Sequence, residues 1–476
     1  MPITSTGSRT GPRTRPVLVL AAAMMGVVLV SLDVSVVNVA LEALRRSFDV
    51  RIDGLQWVLN VYTLSYAVFL LSAGALSDRL GSRTTFVLGS IIFTLSSLAC
   101  GLAPSFGFLL GARTVQGMGA ALLVPSSMAL LQHAFPDARA RARAVGLWAG
   151  AGSLAIVGGP VLGGALIASV GWRGIFLINL PIGLLGIWLT QRHTPRSERN
   201  EKRGLDLVGQ VVAAVALTCL VGAVTQASAL GWGNPWIMGS SIAGAVLFAA
   251  FLAVEARSRH PMMPLDLFRN WAFSTATFVG VVANFVFYGL VFVFSLFFQV
   301  VQGKSAFATG LAFVPMTGVI MFVNVAAGHL IGRFGIRPVM LAGLGIASAG
   351  YLAMLSIGAD TSYTAITPIF AAAGIGIALT VPSVMNAALA GTRPDQAGIA
   401  AGVLSSARQV GGAVGVALFG STIGATGPGG FVFGMHVSIA LAGAALLSAL
   451  LITFVFIPSQ GKALDQAAGN AVLNAD

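Results

Sequence analysis

The chain has 476 residues, 56% of them hydrophobic, with 27 Lys and Arg against 15 Asp and Glu and a net charge of +12. Charged residues make up 9%, where soluble domains carry about 25%, and mean hydropathy is +0.89. Too few charges remain to coat a soluble surface, which excludes a soluble enzyme, a disordered chain and a disulfide-stapled one. An outer-membrane barrel is excluded as well, because its strands are alternations of about ten residues and the apolar runs here are twice that length. What remains is an all-α polytopic membrane protein. The two cysteines, Cys100 and Cys219, lie inside apolar runs and are expected to be free, buried thiols.

In chain order, a polar and disordered cytoplasmic tail is expected over residues 1–16. Apolar segments follow over 17–41, 55–75, 85–103, 107–131, 144–169 and 174–190, forming an N-terminal six-helix bundle (17–190). The first is too long for a secretory signal and lacks a cleavage site, so it is read as retained. The stretch QRHTPRSERNEKRG from Gln191 to Gly204 is the most charged of the chain and makes 191–205 a cytoplasmic linker. Segments 206–226 and 236–254 are an inserted pair of helices (206–254), and 255–271 is a cytoplasmic loop. Segments 272–299, 309–330, 338–357, 363–390, 398–421 and 434–457 form a C-terminal six-helix bundle (272–457), before a cytoplasmic tail over 458–476. Each of the fourteen covers the roughly 20 residues a bilayer requires.

With the N-terminus in the cytoplasm, 20 Lys and Arg fall inside, five outside, and Arg113 and Arg408 within helices. That bias is a positive-inside signal, and an even number of spans places both termini in the cytoplasm. The basic excess is therefore a signal of topology and of attraction to anionic lipid, not of nucleic-acid binding.

The chain also repeats itself. GALSDRLGSR (Gly74 to Arg83) returns as GHLIGRFGIR (Gly328 to Arg337) at an offset of 254, which Gly89 and Gly343 keep. GMGAALLVPSSM (Gly117 to Met128) returns as GIGIALTVPSVM (Gly374 to Met385) at an offset of 257. Equivalent segments share depth and loop side, so the two bundles are parallel repeats.

These motifs resemble the major facilitator superfamily, and within it the fourteen-helix drug:proton antiporters of the methylenomycin-resistance type. GALSDRLGSR resembles the family's loop 2–3 signature, RTVQGMGAA (Arg113 to Ala121) its helix 4 signature, and VGGPVLGG (Val157 to Gly164) its helix 5 antiporter signature. LDVSVVNVAL (Leu32 to Leu41) and WRGIFLINLPIG (Trp172 to Gly183) are similar to segments of the fourteen-helix branch. Two departures stand out: Ala155 replaces the Gly that usually opens the helix 5 signature, and Gly332 replaces, in the second half, the acid that Asp78 supplies in the first.

Asp33 is the only acidic residue deep within a predicted span, where a charge costs about 2.5–3.5 kcal/mol on insertion scales. It is either a structural contact or a proton carrier, since a carboxyl that alternates between dry and wet surroundings can bind and release a proton. Arg113 lies at similar depth and needs a partner, for which Asp33 and Gln116 are the candidates; the resemblance favours proton coupling over a purely structural pair. Gly158, Gly159, Pro160, Gly163 and Gly164 bend helix 5 and flatten one face. That is close packing by itself, and the resemblance implies a seal of the exporter's pathway. Gly74, Asp78, Arg79, Gly81 and Arg83 end helix 2; the resemblance implies that Asp78 latches the bundles on the cytoplasmic side against the start of helix 13. Arg408 either snorkels to that surface or joins the latch.

The resemblance implies that helices 1, 4, 9 and 12 line the pathway, which makes Asn38, Gln116, Asn284, Tyr288 and Asn386 its polar residues, against a reading of each as a packing contact. The phenylalanines of helix 9 are either lipid-facing bulk or an apolar drug pocket. No HExxH, phosphate loop or nucleophile elbow is present, and the five histidines have no metal-ligand spacing. The expectation is thus no enzyme and no cofactor, with a proton gradient as the energy source. A monomer in the cytoplasmic membrane would exchange protons for small amphipathic drugs or antibiotics by alternating access. The alternative is a proton-coupled importer of a small nutrient.

Overall fold

A computed structural model of the chain describes residues 16–195, 206–258, 261–390, 392–393, 396–425 and 430–457. The terminal tails, expected to be disordered, and most of the linker lie outside the described residues. Within them the chain forms fourteen long helices and no strand. They are α1 (Pro16–Phe48), α2 (Ile52–Leu80), α3 (Ser82–Gly101), α4 (Phe106–Ala134), α5 (Ala138–Val170), α6 (Gly174–His193), α7 (Leu207–Leu230) and α8 (Pro235–Arg257). Then come α9 (Trp271–Val301), α10 (Ala306–Phe334), α11 (Ile336–Ser356), α12 (Tyr363–Ala390), α13 (Ala397–Ala425) and α14 (Phe431–Phe456).

Thirteen of them are long and apolar enough to cross a membrane. The exception is α13, which at 29 residues is long enough but carries Ser405, Ser406, Arg408 and Gln409. It can afford these groups because it packs against α2, α7 and α9 inside the protein. Several helices outrun their apolar segments. In α1 an added turn is held by Glu42, which accepts from Arg45 at 2.6 Å and Arg46 at 2.7 Å, the spacings at which helical side chains meet. Glu42 is therefore a buried helical residue rather than a loop residue. Cys100 is buried as expected, whereas Cys219 on α7 is only half-buried.

The repeat in the sequence reappears as a repeat of packing. The α1–α5, α2–α4, α3–α4 and α3–α6 contacts have counterparts in α9–α13, α10–α12, α11–α12 and α11–α14. Gly117 lies on the α2 backbone at Tyr62, and Gly374 lies on the α10 backbone at Met316. Gly81, between α2 and α3, has φ +86°, and Gly335, between α10 and α11, has φ +85°, a conformation closed to most side chains. Arg83 donates to the Gln191 carbonyl at the end of α6 at 2.7 Å, and Arg337 donates to the Phe454 carbonyl at the end of α14 at 2.6 Å. Each cation thus satisfies a carbonyl near the C-terminus of its bundle's last helix. The α7–α8 hairpin stands outside the repeat, with α7 against both α2 and α13 where the bundles meet.

The bundles join along α2–α13, α5–α10 and α1–α9. We call the face where α1 begins and α14 ends the tail face, and its opposite the far face. The α1–α9 junction lies toward the far face, where Ser295 donates to the Asn38 carbonyl at 2.5 Å and Gln299 to the Val39 carbonyl at 3.2 Å. So does the α5–α10 junction, where Gly164 meets Phe307 and Gly310 meets the Pro160 carbonyl, each closer than a Cβ would allow. Toward the tail face, Leu147 and Leu154 of α5 and Phe322 and Val325 of α10 are exposed.

Candidate functional site

α1 and α4 cross so that Asp33, 0% exposed, meets Arg113, 1% exposed, with Oδ2 to Nη1 at 2.5 Å. The glycine at 117 permits this arrangement, because it lets α4 rest directly on α2. There Arg113 Nε donates to the Val58 carbonyl at 3.3 Å, and the guanidinium lies 4.2 Å from the centre of the Tyr62 ring. Gln116, one turn along α4, accepts from Arg113 Nη1 at 2.8 Å and donates to Asp33 Oδ1 at 2.9 Å. Asn179 on α6 donates to the same Oδ1 at 3.2 Å. Ser97 on α3 accepts from both amides, at 2.7 Å from Gln116 and 3.2 Å from Asn179. Every one of these contacts to Asp33 is a donor, which is the environment an ionised carboxylate needs.

Both partners foreseen for Arg113 are thus present, and two further residues complete the cluster. Asn179 and Ser97 did not stand out in the sequence; the available signal was an amide inside the apolar run FLINLP. Among the described residues the second half has no such cluster. Phe370 holds the position equivalent to Arg113 at the offset of 257 and packs against Phe294, Phe298 and Phe313 with ring centroids 5.0, 5.9 and 6.0 Å away.

A cavity of about 190 Å³ lies between the bundles. Its apolar wall includes Val27, Val30, Ile156, Phe287, Val291 and Phe313, and its polar groups include Ser31, Asn38, Tyr66, Tyr288, Thr317 and Gln409. A smaller lobe of about 20 Å³ shares Asn38, Tyr66, Tyr288 and Gln409 and adds Tyr62. Tyr62 therefore touches both the ion pair and the cavity, with its ring on Arg113 and a place in the wall of the lobe.

Of the pathway residues read from the sequence, Asn38 and Tyr288 line this cavity. Gln116 belongs to the ion-pair cluster. Asn284 accepts from Arg408 Nε at 3.3 Å, which turns Arg408 inward rather than to the membrane surface. Asn386 is exposed and bonds back to the Pro382 carbonyl four residues earlier. Among the helix 9 phenylalanines, Phe287 lines the cavity, Phe292 and Phe294 are buried in the bundle, and Phe285 packs edge-on to Phe419.

The glycine segment of α5 is gripped from two sides. Gly159 lies against Ser35 and Gly163 against Val36 of α1, while Gly164 and the Pro160 carbonyl meet α10. A Cβ at Gly158 would meet nothing within 4 Å. At the tail end of α2, Asp78 and Arg79 are exposed, and Gly74 and Gly332 have open space where a Cβ would be. Among the described residues no His, Cys, Asp and Glu cluster could hold a metal ion.

The Major Facilitator Superfamily model matches residues 23–416. The multidrug resistance protein Stp of Mycobacterium tuberculosis is 38% identical over 86% of this chain and 76% of its own. The methylenomycin A resistance protein of Streptomyces coelicolor is 37% identical over 86% of each chain. Among solved structures, a bacterial homologue of the human lysosomal transporter Spinster, inward-facing and occupied, matches with a TM-score of 0.66 and 18% identity over 94% of this chain and 97% of that one.

Proposed function

Because the chain belongs to the major facilitator superfamily and is a multi-pass membrane protein, we propose that it exports small amphipathic drugs or antibiotics in exchange for protons, by alternating access. The names of its relatives support export of drugs. The observation that carries proton coupling is Asp33, the carboxylate buried with Arg113, which lies on Tyr62 beside the cavity.

In this reading the protein lies in the cytoplasmic membrane, the tail face is cytoplasmic, and the structure is the inward-facing state. Substrate enters the cavity while Asp33 and Arg113 are paired. When the site faces outward, Asp33 takes up a proton and loses its attraction to Arg113. The freed guanidinium shifts against Tyr62, which carries the change into the cavity. Closing over a neutral carboxyl is less costly than closing over a charge. Return to the inward state restores the pair and releases the proton. Asp78, at the end of α2, latches the cytoplasmic side in the opposite state. Rocking of the two bundles swaps the α1–α9 and α5–α10 contacts of the far face for contacts on the tail face. One charge crossing 100 mV is worth about 2.3 kcal/mol, enough for roughly a 40-fold gradient of a neutral substrate.

The test is transport in proteoliposomes carrying a trapped pH dye. Addition of an exported antibiotic should move protons in the opposite direction through the parent protein. Substrate movement with no counterflow of protons would refute the coupling and leave a facilitated exporter.

A further inference from the structure

The geometry points to Arg408 as the recognition site for an anionic group, a carboxylate above all, on the transported molecule. Arg408 sits midway along α13, held through Nε by the neutral amide of Asn284. Among the described residues no carboxylate lies within ion-pair distance of it. Among the described residues the buried acids are committed elsewhere: Asp33 to Arg113, Glu42 to Arg45 and Arg46, and Glu255 to the Met263 N–H. An intramembrane cation without a counter-ion is costly, and it is kept where something supplies the missing charge.

The surroundings of Arg408 supply the rest of such a site. Its neighbour Gln409 lines the cavity, as do Tyr66 and Tyr288, and Gly412, one turn along α13 on the same helix face as Arg408, lines the adjoining lobe. Tyr62, 1% exposed, is part of the wall of the adjoining lobe and has a hydroxyl that meets no hydrogen-bond partner among the described residues. A buried hydroxyl left unpaired is unfavourable until an acceptor arrives. Phenols thus line a cavity whose wall also holds Val27, Val30 and Ile156, with the Arg408 guanidinium based one helical turn from the lobe-lining Gly412. The complementary molecule has an apolar body and an acceptor-rich anionic head. The guanidinium fork suits a carboxylate in two-point contact.

This deepens the export reading by naming its substrate class, but its test needs no transport. Binding of arylalkanoates, from 3-phenylpropionate to indole-3-butyrate, is measured against their methyl esters with the purified full chain by isothermal titration. The acids should bind at least about tenfold more tightly than the esters, as a charge-assisted contact implies. Arg408→Gln should erase that preference, and Arg408→Lys should retain part of it. Asn284→Asp supplies Arg408 with an internal carboxylate, so it should erase the preference even if Arg408→Gln does not fold. Esters binding as well as acids to the parent protein, or an acid preference that survives Asn284→Asp and Arg408→Gln, would overturn the assignment. Loss of proton coupling in the transport assay with the acid preference intact would sink the export mechanism and leave this site standing.

Discussion

Ser35 of α1 and Pro160 of α5 form one structural unit. The proline has no N–H to give to the Ile156 carbonyl four residues earlier, and the Ser35 hydroxyl donates to that same carbonyl at 2.8 Å. Irregular backbone is tolerated at membrane depth only when a neighbour satisfies the freed group. The carbonyl freed in α5 by Pro160 and the grip of α5 on α1 thus have a common cause. Ser35→Ala should cost about 1–3 kcal/mol by leaving the carbonyl bare. In a Pro160→Ala background, where the backbone N–H can return, the cost should shrink toward zero. A double-mutant cycle of thermal unfolding in detergent measures the coupling, and equal costs in both backgrounds would dismiss it.

Asp33→Asn keeps the size and most hydrogen bonds of the cluster but cannot ionise. It should abolish uphill export under an imposed pH gradient while exchange down a substrate gradient persists. Arg113→Ala should be at least as damaging and should also lower stability by about 3–5 kcal/mol, because it strands a buried carboxylate. Vesicle transport at matched protein levels decides this. Accumulation by Asp33→Asn equal to that of the parent would make Asp33 structural and move attention to Asp78.

The far-face closure rests on backbone contact at Gly310, whose Cβ position falls well inside van der Waals distance of the Pro160 carbonyl. Gly310→Ala should part α5 from α10, at a cost of about 1–3 kcal/mol to this state. Thr309, buried one residue away, reports the change. In a Thr309→Cys protein, labelling by a membrane-impermeant maleimide from the far side should rise several-fold when Gly310→Ala is added. An unchanged rate would show that the closure does not depend on that contact.

The turns at Gly81 and Gly335 have φ of +86° and +85°, so Gly81→Ala and Gly335→Ala should each cost about 1–3 kcal/mol. Equal losses of thermal stability are the signature of a repeated turn. A loss at Gly81 alone would mean that the second copy has relaxed.

The partnership of Asp33 and Arg113 was legible because each is a lone charge in an apolar run, and the cost of an unpaired charge forces such groups together. The parallel packing of the two halves was legible for a related reason. Glycines needed for backbone contact cannot drift without a clash, so Gly117 and Gly374 kept their spacing and their roles. Helix ends were less legible, since hydropathy stops where Glu42, Arg45 and Arg46 begin although their mutual ion pairs carry α1 onward to Phe48.

Tertiary structure alone decided which polar residue faces what. Asn179 and Ser97 joined the ion pair unannounced, because amides and hydroxyls cost little in a membrane helix and leave no mark on its hydropathy. Gln116 and Asn284 turned into their bundles while Asn38 and Tyr288 turned to the cavity. On a soluble helix the polar stripe would have told these faces apart. Here lipid, bundle interior and cavity wall are all apolar, so periodicity carries no sign of direction and only the packing of neighbouring helices supplies it.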